Sequence, residues 1–379
     1  MKVGDRIMGG VKAWMVRMFA AVALAGVAEP SPAQEGQFYG LMRERDLSPF
    51  GFMRLDMRPA HAVSTEPGSW AVETDLAFQN TWALSPAVEK YLVGLEAEGR
   101  RALGAEELQA IRDLPGENYL VDLEAAVYDM TVHYKLARDW SAYAVVSAVS
   151  YRGGFMDSTI EGFHDAFGFS SFGRPAVARN RVNAIYDLKG TSYVNLNDDA
   201  SGGLLDPVLG LRYSSPQRLR GWNFSVESAI KVPVAGQRAF LSTGRADIGF
   251  QASAQHRRGR NAWYADVATV WYGGGQAPSP AERQLVPTLV VGYERQLTAR
   301  TNVNLQGYVS PSMYSRDETE LRELRATKYQ ATLGLRHRVD SHVWTVGITE
   351  NLQNINNTPD MSFQVGYAFV PRFARPALF

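Results

Sequence analysis

The chain has no cysteine, only six histidines, no net charge and one apolar run of any length, and each shortage excludes a class of explanation. Without cysteine there is no disulfide framework and no thiolate chemistry. His61, His133, His164, His256, His337 and His342 are scattered, and no pair has metal-ligand spacing. No glycine-rich phosphate loop precedes a helix, so neither a metal nor a cofactor is expected. The 39 basic residues are matched by 39 acidic ones, which argues against a nucleic-acid partner. Beyond residues 18 to 28 no apolar stretch approaches the roughly 20 residues of a spanning helix.

What is present begins with Lys2, Arg6, Lys12 and Arg17, followed by the apolar run from Met18 to Ala28 and by Ser31-Pro-Ala33. This order predicts a signal peptide over residues 1–33, with cleavage after Ala33 favoured over Ala28. Residues 34–69 read as irregular, with Pro49, Pro59 and Pro67-Gly68. They form either a periplasmic segment or a partial plug.

From residue 70 the pattern changes to alternation. In Gly221 to Val232, Trp222, Phe224, Val226, Ile230 and Val232 share one face of a strand, while Asn223, Ser225, Glu227 and Lys231 take the other. About twelve such stretches follow one another: 70 to 82, 119 to 136, 140 to 151, 204 to 214, 222 to 232, 246 to 256, 262 to 272, 283 to 296, 302 to 310, 328 to 339, 343 to 351 and 361 to 369. A mean hydropathy of -0.22 fits strands with one apolar and one polar face. Behind an export signal this predicts an all-β fold, a transmembrane antiparallel up-and-down β-barrel of the bacterial outer membrane over 70–369, with a tail at 370–379. The apolar phase switches at Val127 and Tyr128, where a β-bulge is expected.

The connections alternate between short periplasmic turns and long external loops. The strand-like stretch from Val182 to Asn195 keeps this alternation intact if it is a hairpin inside the second long loop. Residues 99 to 112 and 315 to 325 have helical spacing.

The stretch from Ser150 to Arg174 resembles the proteobacterial family called domain of unknown function 3187, through Gly153, Gly154, Asp157, Ile160, Phe163, His164, Gly168 and Arg174. Lys231-Val-Pro-Val-Ala-Gly236 with Ser242-Thr-Gly-Arg-Ala-Asp247 is similar to a loop shared by several outer-membrane channel families, with Val234-Ala235 replacing its usual Thr. The resemblance runs from about Asp46 to Phe369; it implies an outer-membrane barrel and no particular activity.

Two sets of residues are candidates for function. Gly153, Gly154, Asp157, Phe163, His164, Gly168 and Arg174 belong to an external loop expected to fold over or into the mouth. Within it, His164, Ser170 and Asp157 are candidates for a lipid hydrolase, which needs a base beside its nucleophile and a group orienting that base. Ser171-Phe-Gly-Arg174 is similar to the Ser-Asn-Gly-Arg of outer-membrane phospholipases. The competing reading, that these groups bind the loop's own backbone, is preferred.

By alternation the lumen receives Glu73, Asp75, Asp122, Glu124, Arg212, Glu227, Lys231, Asp266, Glu294, Arg336 and Arg338. Charges of both signs suit a narrow pore that sorts solutes, and equally a packed interior in which they pair. The leading expectation is a porin-like narrow channel for passive transport of small solutes, apolar ones included. A structural, envelope-maintaining barrel is the alternative, and a lipid hydrolase using His164 and Ser170 is third. Expected partners are outer-membrane lipids, lipopolysaccharide, a small solute and the assembly machinery, for which Phe363, Val365, Tyr367 and Phe369 look like the closing-strand signal.

Phe369→Ala should impair insertion into the outer membrane more than deletion of 375 to 379, as read by the yield of heat-modifiable barrel; the reverse ranking would move the signal to Phe379.

Overall fold

The computed structural model describes residues 37–43, 51–59, 66–152, 154–168, 170–189, 191–197, 202–215, 221–234, 240–274, 283–352 and 361–370. The leader, Gly153 and the tail from residue 371 lie outside the described residues. In chain order the strands are β1 Trp70–Leu84, β2 Asn118–Lys135, β3 Trp140–Arg152, β4 Asn183–Leu188, β5 Thr191–Leu196, β6 Gly203–Leu204, β7 Val208–Ser214 and β8 Trp222–Lys231. They continue with β9 Asp247–Arg258, β10 Asn261–Gly273, β11 Arg283–Gln296, β12 Thr301–Ser310, β13 Lys328–Val339, β14 His342–Asn351 and β15 Met361–Phe369.

Twelve of these make a closed antiparallel ring: β1, β2 and β3, then β7 through β15. The ring shuts where β1 pairs with β15, from Val72 opposite Phe369 to Asn80 opposite Met361. Closure is what permits sheet in a bilayer, since an open edge would leave N–H and C=O groups unbonded in hydrocarbon. No helix among the described residues is long and apolar enough to span.

Because the ring is made of uninterrupted two-residue alternation, its outer surface is a belt of large apolar side chains. Phe224, Val226, Ile230, Phe250, Val267, Leu285 and Leu289 all point outward. So much bare apolar surface fits hydrocarbon as the contacting medium, in a band about 25 Å tall. At the end with the short turns the belt is bounded by aromatic rings: Trp70 lies 4.5 Å from Tyr134, Trp140 5.2 Å from Tyr213 and Trp344 4.8 Å from Tyr367. Such amphipathic rings favour the headgroup level.

The β-bulge expected at Val127 and Tyr128 is absent. Pairing of β2 runs in one unbroken register on both sides, from Trp70 opposite Tyr134 to Leu84 opposite Leu120, and from Glu124 opposite Arg152 to Lys135 opposite Ser141. The apolar phase changes because the medium changes: beyond the belt the wall is buried on both faces, so neither face is selected for polarity. One consequence corrects the assignment of Asp122 and Glu124. In unbroken register they share the outer face with Asn80 and Trp82, whereas Asp129, Thr131 and His133 face the interior with Glu73 and Asp75.

That outer flank is covered by the first two long loops. α1 Pro86–Leu95 and α2 Ala105–Arg112 bury Val88, Leu92 and Ile111 against Trp82, Leu84 and Leu120. α2 starts only at Ala105, where the Glu107 carboxylate accepts the Gly104 N–H at 2.8 Å. α3 Asp157–Phe167 ends at Gly168, whose φ of 71° suits glycine. The stretch 155 to 172, expected over the mouth, lies on this flank instead. Asn80 donates to Asp157 at 3.0 Å, Trp82 Nε1 donates to the Phe172 carbonyl at 3.1 Å, and Phe155 stands edge-on to Phe78. Its neighbour in sequence, the β4–β5 hairpin, turns Val182, Ala184 and Tyr186 into an apolar cluster spanning the external end of the interior.

Residues 315 to 325 form turns and no helix. Thr319 and the Glu320 N–H bind the Glu117 carboxylate, and Leu324 is buried in the external cluster. These tertiary contacts outweigh the few tenths of a kcal/mol that each charge pair offers a helix.

Val267→Arg, at the centre of the belt, should destabilise the lipid-inserted barrel by about 2–4 kcal/mol in denaturant titration; an unchanged midpoint would mean that this face does not touch hydrocarbon.

Candidate functional site: the filled lumen

A ring of twelve strands is wider than its own wall side chains fill, since about eight strands give an interior packed by side chains alone. Here two stretches of the N-terminal segment, residues 37–43 and 51–59, occupy the space. Polar wall residues bind their backbone. The Glu294 carboxylate accepts the Tyr39 N–H at 3.1 Å and the Gly40 N–H at 3.2 Å, and is itself fixed by Tyr264 Oη at 2.6 Å and Asn302 Nδ2 at 2.6 Å. Gln306 accepts the Met42 N–H at 2.9 Å, Asn304 donates to the Gly40 carbonyl at 2.9 Å, and Arg336 donates to the carbonyls of Gly40 and Leu41.

The second stretch is held by charge. Lys231 Nζ donates to the Met53 carbonyl at 2.7 Å and Thr243 Oγ1 at 2.8 Å, and lies 3.0 Å from Asp247. Asp247 also accepts the Leu55 N–H at 3.0 Å and pairs with Arg54 at 3.3 Å, all three ionic side chains being almost wholly buried. Arg58 pairs with Asp129 at 2.7 Å, and Arg43 with Glu73 at 3.4 Å.

Steric fit accompanies the polar contacts. A β-carbon at Gly249 would fall 2.5 Å from the Met57 sulfur, one at Gly292 2.1 Å from Leu41, and one at Gly334 2.1 Å from Met42. These inward positions are vacant of side chains where the segment's own side chains enter.

Of the proposed lumen residues, Glu73, Lys231, Glu294 and Arg336 hold the segment, while Asp75 lines a cavity beside it. Arg212 and Glu227 pair with each other at 2.5 Å, with Tyr143 donating to the same carboxylate. Asp266 is buried on the inner face of β10, and Arg338 sits at the turn, donating to the Asp340 carbonyl. Asp129, Asp247 and Gln306 were not singled out. Asp247 was legible as the last residue of the Ser242 to Asp247 motif, whereas Asp129 was hidden behind the supposed bulge.

The external loop set forms a separate structural knot. Glu124 accepts the N–H groups of Phe155 and Met156, in a niche where a β-carbon on Gly154 would overlap its carboxyl group. Arg174 pairs with Asp157 at 2.8 Å, donates to Asn80 at 3.1 Å and lies over the Trp82 ring. Asp157 also accepts the Asn180 N–H at 2.9 Å. Phe163 is on α3, its side chain outside the described residues. Ser170 Oγ is exposed and accepts the Phe172 N–H at 3.1 Å. Burial, then the nearby Arg174 charge, lower the His164 pKa from its ordinary value. Asp157, the group that would orient a catalytic histidine, is thus engaged by Arg174. On β15, Phe363, Val365 and Phe369 face outward, and Tyr367 bonds His342 at 2.7 Å.

Residues 115–370 match a family model described as a protein of unknown function, DUF3187. The chain belongs to that family. The crystal structure of an outer membrane channel from Pseudomonas putida F1 is similar at 8% identity and a TM-score of 0.50, over 83% of this chain and 99% of that one. The toluene transporter TodX of P. putida aligns at 10% identity and a TM-score of 0.35, over 80% and 90% of the two chains. Outer membrane phospholipase A of Escherichia coli aligns at 12% and 0.34, over 79% and 92%. The first likeness establishes fold, and the other two carry no argument about activity. No curated protein matches. This DUF3187 chain has the fold of an outer-membrane β-barrel.

Lys231→Met should loosen the inserted segment, since breaking a buried ion pair costs about 3–5 kcal/mol. The absence of native cysteine allows a clean readout: a single Met53→Cys thiol should resist maleimide in the parent and react at least about a hundredfold faster beside Lys231→Met, as that energy predicts. Equal rates would show that Lys231 does not secure the segment.

Proposed function

We propose that this barrel is a narrow channel for passive passage of small solutes, held closed by its own N-terminal segment. The observation that carries the reading is the manner of filling. The interior is occupied by a separate stretch of chain, held by hydrogen bonds, ion pairs and apolar packing and not by the strand ladder, so its withdrawal would leave a bore that the wall cannot fill. Twelve strands lie between the eight that pack solid and the sixteen that enclose an aqueous channel. The apolar external end, with Phe52 and Met53 packed among Tyr151, Phe240 and Tyr314, offers a first contact for solutes with an apolar body. In this reading the other partners are outer-membrane lipids and lipopolysaccharide around the wall, and the assembly machinery at β15. No cofactor enters, and no hydrolytic step is assigned to His164 and Ser170.

Planar-bilayer conductance tests the proposal. The full chain should be silent or nearly so, and the mature chain lacking residues 34 to 59 should open stable single channels. If the shortened barrel folds, as judged by heat modifiability, and still does not conduct, the channel reading fails in favour of a structural barrel.

A further inference from the structure

The end of the barrel with the short turns is unevenly charged. The β9–β10 turn, Arg257-Arg-Gly-Arg260, and the β11–β12 connection from Arg295 to Thr301 together carry five arginines and no carboxylate. The acidic side chains of β9 to β12, Asp247, Asp266 and Glu294, are all buried, away from these turns' outer surface. Arg258, Arg260 and Arg300 are exposed, and Arg295 is half-buried.

Register places two of these arginines in one row on the outer face. Arg258 on β9 and Arg295 on β11 both stand opposite Asn261 of β10, so their backbones are about 10 Å apart. Asn261 accepts the Tyr293 hydroxyl at 2.6 Å through its Oδ1, which keeps its Nδ2 as a donor between the arginines. Two residues nearer the belt, His256, Trp263 and Tyr293 form the next row, their ring centroids 5.8 and 5.9 Å apart, and Trp222 extends it 4.9 Å from His256. Such rings favour the headgroup level, so the arginines just beyond them stand at the phosphates of the same leaflet. One row further into the belt, Ala254 and Ala265 lie between Phe224 and Val291, a shallow trough that an acyl chain can follow.

We propose that this face binds a phospholipid of net negative charge from the periplasmic leaflet, its phosphodiester held by Arg258 and Arg295 across Asn261. A guanidinium fork matches phosphate oxygens, and the arginines carry the inference. A zwitterionic lipid gains less, because its ammonium would meet arginines and no carboxylate on these turns. Lipopolysaccharide belongs to the opposite leaflet, since such barrels keep their short turns in the periplasm. The inference needs the barrel in a bilayer and is independent of whether its interior conducts.

Native mass spectrometry of the full mature chain in detergent, titrated with phosphatidylglycerol or with phosphatidylethanolamine of the same acyl chains, tests it. Phosphatidylglycerol should bind at least about tenfold more tightly. Arg258→Gln combined with Arg295→Gln should remove that preference and leave phosphatidylethanolamine unchanged. Arg260→Gln combined with Arg300→Gln takes the same charge from the turn tips and should cost no more than about threefold, because charges farther out are screened. Equal affinity of the parent for the two lipids would overturn the site, and that comparison needs no variant to fold. An equal loss in both double variants would mean diffuse attraction and would also overturn it. Displacement of the lipid by equimolar inorganic phosphate, or by equimolar poly-glutamate, would assign the patch to a free anion or to an acidic protein instead and so reject the lipid.

Discussion

Hydrocarbon offers no hydrogen bonds, and that single constraint organises the molecule. Every backbone N–H and C=O in the membrane must be answered by a neighbouring strand, so the sheet has to close, as it does between β1 and β15. The same medium demands an apolar outer face, and the two-residue period of a strand then hands every other position to the interior. The polar interior is therefore a by-product of satisfying lipid, and its chemistry is free to be used for something else.

What it is used for follows from width. Twelve strands enclose more volume than inward side chains fill, and the vacancy is taken by residues 37–43 and 51–59. Their backbone would be unsatisfied in an apolar core, but the wall answers it with Glu294, Gln306, Asn304, Arg336 and Lys231. Glycines at inward positions receive Leu41, Met42 and Met57. The result is an interior matched to one segment in polarity and in shape, with buried apolar contacts from Phe52, Met53, Leu55 and Met57 beside the polar ones.

Much of the wall was legible because a strand's exposure is written in its own alternation. Eleven of the twelve ring strands lie within two residues of their sequence-based bounds, β7 starts four residues later than 204, and Val182 to Asn195 is indeed a hairpin, β4 and β5. Legibility ended where a second layer covers the sheet. In β2 the phase shift near Val127 reflects burial on both faces, so Asp122 and Glu124 were assigned to the wrong side. The helix α1 was overlooked although Ser85-Pro86 is a good start signal, and α3 although Gly168 is a good stop. Residues 315 to 325 had helical charge spacing, but the Glu117 carboxylate and the apolar mouth drew them into turns.

By itself the sequence determined the barrel, its strand bounds and the alternation of short turns with long loops, because these depend on local period and on a uniform solvent. Only the tertiary structure decided where the N-terminal segment lies, which wall charges grip it, and which loop caps the mouth while another lies along the flank. Those outcomes depend on residues up to 296 positions apart, Gly40 and Arg336 among them. No local pattern encodes such a pairing, since the partner of an inward charge is selected by ring closure and by the shape of what fills the ring.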